Sequence, residues 1–383
     1  MEATLGDCSL EALRRRRSKK WASYPADVLP AWVAEMDFDL AGPVKDAVRE
    51  AIGAGDCGYP HPDGLGDAYA EFTAGRFGWA PDPRRVFAAP DVMTGIAEVL
   101  QAVTPHGSGV VINPPVYPPF FYRLRMTGRR VVEAPLRRDG GGRYHLDAAA
   151  VDEALAGDGV AAYLLCSPHN PTGRVWPRED LLAVAEICAR RGAVLLVDEI
   201  HAPLALPGVA QVPFLSLDLT EALARRTYTF TSASKGWNIP GLKCALAVVC
   251  HDEPARVLAA RWEALLASHP GVLATAAEFR HCMPWLDAVI GQLDENRALL
   301  GRLLGARLPG VRYSPPDASF LAWLDCGALG LSDPAGAFLE RGRVALSPGG
   351  DFGGQGRQFV RLNMGTWPAI LDEIVSRMGT AVD

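Results

Sequence analysis

Two apolar runs separated by one helical segment constrain the fold of this chain more than any other feature. Val160–Cys166 and residues 193–197 lack the polar–apolar alternation of a half-exposed strand, which predicts strands buried on both faces. Arg178–Arg191, between them, predicts the helix of a right-handed crossover. Further short strands are predicted at residues 110–112, 130–136, 227–230 and 245–249. The sequence therefore predicts an α/β fold built on a parallel sheet.

The composition predicts a large hydrophobic core and does not indicate binding to polyanions. Of 383 residues 49% are hydrophobic, and a net charge of -6 gives no reason to expect nucleic acid or an anionic membrane as partner. No apolar run reaches the roughly 20 residues that span a bilayer. The basic residues 14–20 predict a solvated helix face rather than an export signal. The eight cysteines lack C-x-x-C pairs and zinc spacing, so we expect reduced thiols in a cytoplasmic protein.

Polar residues follow three of the predicted strands at the point where each strand ends. Asn170 lies in the turn after Val160–Cys166, Asp198 ends the next strand, and Lys235 comes just past a third. Ligands of open α/β sheets bind at the carboxyl ends of the strands, so we expect these side chains to share one site. A carboxylate such as that of Asp198 at that edge costs free energy unless it is paired or takes part in the site. Glu199, the next residue along the strand, would point to the opposite face.

Each strand-end residue also has a simpler explanation. Asn170 opens an Asn-Pro-Thr-Gly sequence that is ordinary turn material. Asp198 could cap a helix with His201 exposed to solvent, and Lys235 could be a surface lysine on a loop. The occurrence of all of them at strand ends favours a shared site.

Three further positions favour a site but have common structural explanations. The predicted helix at residues 96–103 presents unpaired N–H groups that suit a phosphate, provided that Asp91 points away. Tyr117 lies in residues 113–120, a proline-rich stretch predicted as a rigid extended loop, and is either a packed aromatic or a platform for a planar ring. Arg361 lies in an apolar strand and needs a partner, for which a nearby carboxylate is the simplest choice.

The chain is too long for one typical domain. We predict an N-terminal arm over residues 1–45 that is part of the smaller domain, a large domain over 46–265 and a small C-terminal domain over 266–383. Residues 255–300 predict helix, with one long helix as the link between domains. The glycine-rich residues 348–356 predict a mobile loop near the site.

Motifs spread over almost the whole chain resemble those of fold-type I pyridoxal-phosphate (PLP) enzymes in the aminotransferase class I/II superfamily. They are Trp32-Val-Ala-Glu-Met-Asp-Phe38, Gly58-Tyr-Pro60, Pro115-Val-Tyr-Pro-Pro-Phe120, Pro168-His-Asn-Pro-Thr-Gly-Arg174, Asp198-Glu-Ile-His201, Ser232-Ala-Ser-Lys235 and Arg361-Leu-Asn363. Within the superfamily the chain looks most like the MalY/PatB-type cystathionine β-lyase (C–S lyase) branch. The resemblance implies a large domain with a mostly parallel seven-stranded sheet and a smaller α/β domain.

The resemblance implies PLP as the cofactor and assigns catalytic roles to three residues. Lys235 would hold PLP as a Schiff base and remove the Cα proton, and Asp198 would keep the pyridine nitrogen protonated. Tyr117 would stack on the ring, and either Tyr117 or Lys235 would protonate the leaving thiolate. Asn170 and His201 are expected at the ring oxygen, with Asp198 as a second possible partner for His201.

The same resemblance implies contacts to the cofactor phosphate and to the substrate. The phosphate contacts are the backbone of Val92 and Met93, the hydroxyls of Ser232 and Ser234, Lys243, and Tyr59 from the opposite subunit of a homodimer. Arg361 would bind the substrate α-carboxylate, and Asp37 lies in a segment implied to border the substrate. The partners are therefore a small-molecule amino acid and a second copy of the chain, and no metal is needed.

The implied activity is β-elimination from cystathionine or other cysteine S-conjugates, which yields pyruvate, ammonia and a thiol. An aminotransferase would use the same residues, because the first half of the chemistry is shared. The motifs are also compatible with a regulatory protein that retains the fold and with a tailoring C–S lyase of natural-product biosynthesis.

Overall fold

The computed structural model describes residues 5–6, 8–62 and 64–382, apart from the side chain of Trp262. The strands are β1 (Leu29–Pro30), β2 (Val86–Ala89), β3 (Gly109–Ile112), β4 (Arg130–Glu133), β5 (Arg137–Arg138), β6 (Tyr144–His145), β7 (Val160–Cys166), β8 (Val194–Asp198), β9 (Thr227–Thr231), β10 (Ala245–Val248), β11 (Arg312–Tyr313), β12 (Leu321–Asp325), β13 (Val344–Ala345), β14 (Ser347–Pro348) and β15 (Phe359–Asn363). The helices are α1 (Leu10–Arg14), α2 (Lys19–Ala22), α3 (Gly42–Ala54), α4 (Leu65–Phe77), α5 (Val92–Val103), α6 (Pro118–Met126), α7 (Ala148–Leu155), α8 (Arg178–Arg191), α9 (Glu221–Ala224), α10 (Ala233–Gly236), α11 (Asp252–Ala259), α12 (His269–His281), α13 (Met283–Arg307), α14 (Pro334–Glu340) and α15 (Pro368–Thr380).

The main sheet has seven strands in the order β2-β10-β9-β8-β7-β3-β4. The strands from β9 to β4 pair in parallel, while β10 is antiparallel to both of its neighbours. This arrangement confirms the predicted α/β fold with a mostly parallel seven-stranded sheet.

The central strands are buried on both faces, as their continuous apolar sequence predicts. Leu164 and Leu196 belong to the hydrophobic core on one face, whereas Leu165 and Leu195 belong to the core on the other. All of these side chains are 0% exposed. Successive side chains of a strand point to opposite faces, so only an unbroken apolar run satisfies two cores at once.

A second sheet, antiparallel and four-stranded, has the order β11-β12-β15-β14. The short strand β1 pairs in parallel with β13, with Leu29 opposite Val344, so the N-terminal segment packs with C-terminal elements. Helix α12 packs instead against α3 and α4. The domain boundaries at residues 45 and 265 stay predictions.

The helical prediction for residues 255–300 was too simple. The region contains α11, a 3-10 turn at Trp262–Leu265, α12 and the first part of the 25-residue helix α13. Pro270 and Pro284 lie in the first turns of α12 and α13. Proline lacks an N–H group and therefore begins a new helix more readily than it continues one.

Two regions predicted as loops contain helical structure. The proline-rich stretch is not extended to its end, because α6 begins at Pro118 directly after Tyr117. The glycine-rich residues 348–356 form two 3-10 turns, and a Cβ atom on Gly349 would lie 2.2 Å from the carbonyl oxygen of Gly356. The buried Phe352 holds these turns against the core, and its carbonyl accepts a hydrogen bond from Val116 N–H at 2.9 Å.

The solvated basic face predicted at residues 14–20 is wrong for one residue. Lys20 is 1% exposed, and its ammonium group lies 2.7 Å from a carboxylate oxygen of Asp37. It also donates to the carbonyl of Glu35 at 3.1 Å. The pair anchors the segment that carries Asp37 against α2. Across the described residues, none of the helices has the length and apolarity required to cross a bilayer.

Candidate active site

A cavity of about 270 Å³ lies at the carboxyl ends of β7, β8 and β9. Asn170, Asp198 and Lys235 all line it, as the strand-end pattern predicts. The predicted residues that line the cavity are Val92, Met93, Tyr117, Asn170, Asp198, His201, Ser234, Lys235 and Lys243. The parallel strands bring these sequence-distant side chains to one edge of the sheet.

Asp198 and Glu199 leave β8 in opposite directions, which matches the prediction for Glu199. Asp198 is 3% exposed and accepts one hydrogen bond, from Ile200 N–H at 3.1 Å. Burial raises the pKa of Asp198 to about 7, against smaller opposing effects of Ile200 N–H and of Lys235. The Glu199 carboxylate accepts from Phe214 N–H at 2.8 Å, away from the cavity. Asp198 therefore presents the cavity with a buried carboxyl group that has no cationic hydrogen-bond partner among the described residues.

Lys235 lies on the short helix α10, immediately after β9. Its amine donates a hydrogen bond to the carbonyl of Ala34 at 2.7 Å. Burial lowers the pKa of Lys235 to about 8, and the positive charge of Arg361 lowers it further, while Glu35 and Asp198 oppose the shift. An amine with this pKa is more readily deprotonated than an ordinary lysine, and so is suited to nucleophilic attack.

Ser232 does not meet the prediction that its hydroxyl binds phosphate. Its Oγ donates to the carbonyl of Cys244 at 2.7 Å and accepts from Ser234 N–H at 3.0 Å, which caps α10. Ser232 is 2% exposed and does not line the cavity, whereas Ser234 does. The hydroxyl therefore fixes the position of the helix that carries Lys235.

Asp91 and Lys243 form an ion pair at the cavity wall, which corrects the expectation that Asp91 points away. Asp91 also caps α5 by accepting from Thr94 N–H at 2.8 Å. Burial would raise the pKa of Asp91, but the hydrogen bonds from Lys243 and Thr94 N–H hold it below its usual value. The N–H groups of Val92 and Met93, in the first turn of α5, have no acceptor among the described residues.

Arg361 projects from β15 and reaches the cavity through Asn170. Its guanidinium donates to Asn170 Oδ1 at 3.1 Å, to the Trp32 carbonyl at 2.9 Å and to Ser347 Oγ at 3.2 Å. Its Nε is buried without a partner, and burial lowers the pKa of Arg361 to about 10. Within the described residues no carboxylate pairs with Arg361, so the structural explanation by a nearby acid does not hold.

His201 and Tyr117 complete the cavity wall on two sides. His201 Nδ1 lies 3.0 Å from Ser319 Oγ, so this nitrogen bonds Ser319 and not Asp198. Burial lowers the pKa of His201 to about 3, and the charges of Lys235 and Arg361 act in the same direction. Burial raises the pKa of Tyr117 to about 12, and the charge of Asp198 adds to this shift. Both side chains are therefore neutral at physiological pH.

Asp37 and Tyr59, like Ser232 and Arg361, are predicted site residues that do not line the cavity. Asp37 is 1% exposed, and its carboxylate accepts from Trp21 Nε1 at 2.8 Å in addition to pairing with Lys20. These partners satisfy the carboxylate, so the prediction that Asp37 binds substrate is wrong for this structure. Tyr59 is 90% exposed and does not line the cavity of its own protomer. Its predicted contact with a second subunit stays a prediction.

Several lining residues were missed by sequence reasoning as site residues. They are Ala34, Asp91, Tyr122, Arg123, Cys166, Ile200 and Pro240. Ala34 contributes its backbone carbonyl, which accepts the hydrogen bond from Lys235. An alanine side chain gives no indication of such a role in the sequence. Tyr122 and Arg123 lie on α6, and a helix continuing after Tyr117 would have brought them to the same wall.

The model of the aminotransferase class I and II family matches residues 33–378, and the chain belongs to this family. A relative from Mycobacterium leprae is 43% identical over 99% of this chain and 98% of its own length. Cystathionine beta-lyase PatB from Bacillus subtilis is 36% identical over 93% of each chain. The crystal structure of cystalysin from Treponema denticola, which contains a pyridoxal 5'-phosphate cofactor, is 25% identical with a TM-score of 0.91 and covers 100% of this chain and 98% of its own. These similarities confirm the predicted family and its cystathionine β-lyase branch.

Proposed function

We propose that the cavity holds PLP and that the protein is a PLP-dependent C–S β-lyase acting on cystathionine or related cysteine S-conjugates. One observation carries the proposal: a lysine of lowered pKa and a buried carboxyl group line one cavity, and an arginine without a carboxylate partner donates a hydrogen bond to Asn170 in the wall of that cavity. Relatives with the activity in their name, such as the Bacillus subtilis lyase, support the substrate class.

The unsatisfied groups of the cavity fit PLP. The free N–H groups of Val92 and Met93 at the start of α5 suit a phosphate, and Ser234 and Lys243 line the same cavity. Asp198 lacks a cationic hydrogen-bond partner, which a protonated pyridine nitrogen would supply. Tyr117 would offer its ring as a platform, Asn170 would offer an amide to the ring oxygen, and Lys235 would be the residue that holds PLP covalently.

Bound PLP supplies an electron sink that stabilises negative charge at the substrate Cα. The residues of the chain then bind and move protons. Arg361 binds the substrate carboxylate, because its guanidinium is buried and lacks an anion. The amine of Lys235 accepts the Cα proton, and its lowered pKa favours the free base this requires. Departure of the thiolate from Cβ leaves a three-carbon enamine that water hydrolyses to pyruvate and ammonia, with Lys235 or Tyr117 as the acid at sulfur.

The proposal includes a homodimer with shared active sites, in the cytoplasm. Tyr59 is exposed and does not line the cavity of its own chain. This supports a role for Tyr59 at the active site of a second copy. The cysteines described in the structure are all free thiols, which suits a reducing compartment.

Product analysis tests the function. The purified, PLP-loaded protein is given L-cystathionine, first without and then with a keto-acid acceptor. Pyruvate, ammonia and a free thiol without acceptor would support the lyase. Acceptor-dependent formation of a new amino acid, with no thiol released, would instead identify an aminotransferase and overturn the proposal.

A further inference from the structure

The cationic side chains around the cavity differ in whether they have a partner. Lys235 donates to a backbone carbonyl, Lys243 pairs with Asp91, and Arg361 donates to Asn170. Arg123 also lines the cavity, yet its guanidinium has no ion pair or hydrogen bond with any described residue. Its Nε is buried without an acceptor. Arg123 is partly buried, and a bound anion would supply the acceptor that its buried Nε lacks.

Helix α6 fixes where this free cation lies. The helix begins directly after Tyr117, and the 0% exposed Phe120 and Leu124 anchor it in the core. Arg123 is therefore carried on a rigid element just past the residue proposed to stack on the cofactor ring. Tyr122, beside it, also lines the cavity and is 49% exposed, which places this part of the wall at the mouth.

We propose that Arg123 forms a second anion subsite, which binds the carboxylate at the far end of the substrate's sulfur substituent. This inference rests on the proposed function and narrows its substrate class to thioethers with an acidic group on both sides of the sulfur. Arg361 holds the α-carboxylate of the cysteine half, and Arg123 at the mouth recognises the other half. The planar guanidinium is suited to this task because it can bind a carboxylate through two parallel N–H groups.

A cofactor phosphate is the competing anion for Arg123. That phosphate already has the free N–H groups at the start of α5, together with Lys243 and Ser234. These groups satisfy a phosphate without Arg123. The substrate assignment therefore leaves Arg123, whose side chain has no partner among the described residues, for the substrate carboxylate.

The test compares two substrates on the PLP-loaded protein. L-Cystathionine has a distal carboxylate, whereas S-ethyl-L-cysteine has none. Arg123→Met, which keeps an unbranched apolar stem but removes the charged group, should lower kcat/KM for L-cystathionine roughly 10-fold or more. The loss for S-ethyl-L-cysteine should be much smaller, and Arg123→Lys should restore part of the preference. Arg125→Met, an exposed arginine on the same helix that does not line the cavity, is the matched control.

The dissociation constant of PLP provides a readout that does not depend on turnover. It should be the same in the wild-type protein and in Arg123→Met. A weaker PLP affinity, or equal losses for both substrates, would assign Arg123 to the cofactor and overturn the subsite. An active wild type whose substrate preference does not change in Arg123→Met would overturn the subsite alone. A wild type that releases no thiol from either compound would overturn the proposed function, and the subsite with it.

Discussion

His201 and Ser319, 118 positions apart in the chain, lie with Nδ1 and Oγ 3.0 Å from each other in the buried wall of the cavity. Ser319 has a φ of 76°, in the left-handed region that side chains other than glycine rarely adopt. Its N–H donates to the Leu204 carbonyl at 2.9 Å, which ties the approach to β12 to the turn after His201. Strain of this kind persists where surrounding contacts enforce it, often at functional sites. The hydroxyl therefore orients the imidazole.

Replacement of Ser319 by Ala should release His201 from this orientation. We expect lower kcat and altered ¹⁵N shifts of the His201 ring in the histidine-labelled protein, with little loss of stability. Ser319→Gly should be more stable than Ser319→Ala by about 1 kcal/mol, because both lose the hydroxyl but glycine relieves the positive φ, and its activity should be lowered like that of Ala. Ring shifts that stay unchanged in Ser319→Ala would show that the hydroxyl has no orienting role.

Substitutions at Lys235 and at Lys243 should distinguish covalent attachment of the cofactor from binding of its phosphate. Lys235→Ala should lose the visible absorption of the lysine–cofactor linkage, and borohydride should no longer fix the cofactor to the protein. Lys243→Ala should keep both signals but bind PLP more weakly, because only a charge contact to the phosphate is removed. A reducible linkage that persists in Lys235→Ala would refute the lysine assignment.

Arg361→Ala should weaken substrate binding by ~3 kcal/mol if the guanidinium holds the carboxylate as a charged pair. Arg361→Lys should recover only part of this affinity, because an ammonium group cannot form two parallel hydrogen bonds. The measurement is the dissociation constant of an unreactive amino-acid analogue on the PLP-loaded protein. Unchanged affinity in Arg361→Ala would reassign the residue to a structural role.

Glu278 on α12 provides a pH-dependent test of stability. It is 0% exposed, neither carboxyl oxygen has a hydrogen-bond partner in the described structure, and burial raises its pKa well above the usual value. The unfolded chain ionises near the ordinary pKa of 4.5. The stability present below that pH is therefore lost as pH rises toward the folded-state pKa.

Glu278→Met should remove this penalty with little change in side-chain volume. We expect a gain of about 1–3 kcal/mol in the free energy of unfolding at pH 8, shrinking toward pH 4.5. Urea denaturation at both pH values measures it. Glu340→Gln, at an exposed position, is the control and should show neither effect. A gain that is equal at both pH values would mean that ionisation of Glu278 does not limit stability.

Tyr59→Phe should weaken PLP retention if the hydroxyl reaches the phosphate of a second subunit. Mixing this variant with Lys235→Ala should restore part of the activity, because one site of each mixed dimer then has both groups intact. Failure of verified mixed dimers to recover activity would contradict a shared site.

The sequence alone determined the strands of the main sheet other than β2, and the meeting of Asn170, Asp198 and Lys235. Continuous apolar runs are compatible with few structures other than strands buried on both faces, and the carboxyl ends of parallel strands must lie at one edge. The strand period also placed Asp198 and Glu199 on opposite faces. These inferences use only local periodicity and sheet geometry, and so they needed no knowledge of distant contacts.

The tertiary structure alone decided which polar groups find partners. Lys20 and Asp37 bury each other, Asp91 pairs with Lys243, and Arg123 has no partner among the described residues. A charged residue is stable in the interior only beside a complementary group, and that group can lie anywhere in the chain. Asp91 and Lys243, for example, are 152 positions apart. Such pairs leave no local pattern, so residue type and spacing identified the active site but not the ion pairs and free cation that define its charge.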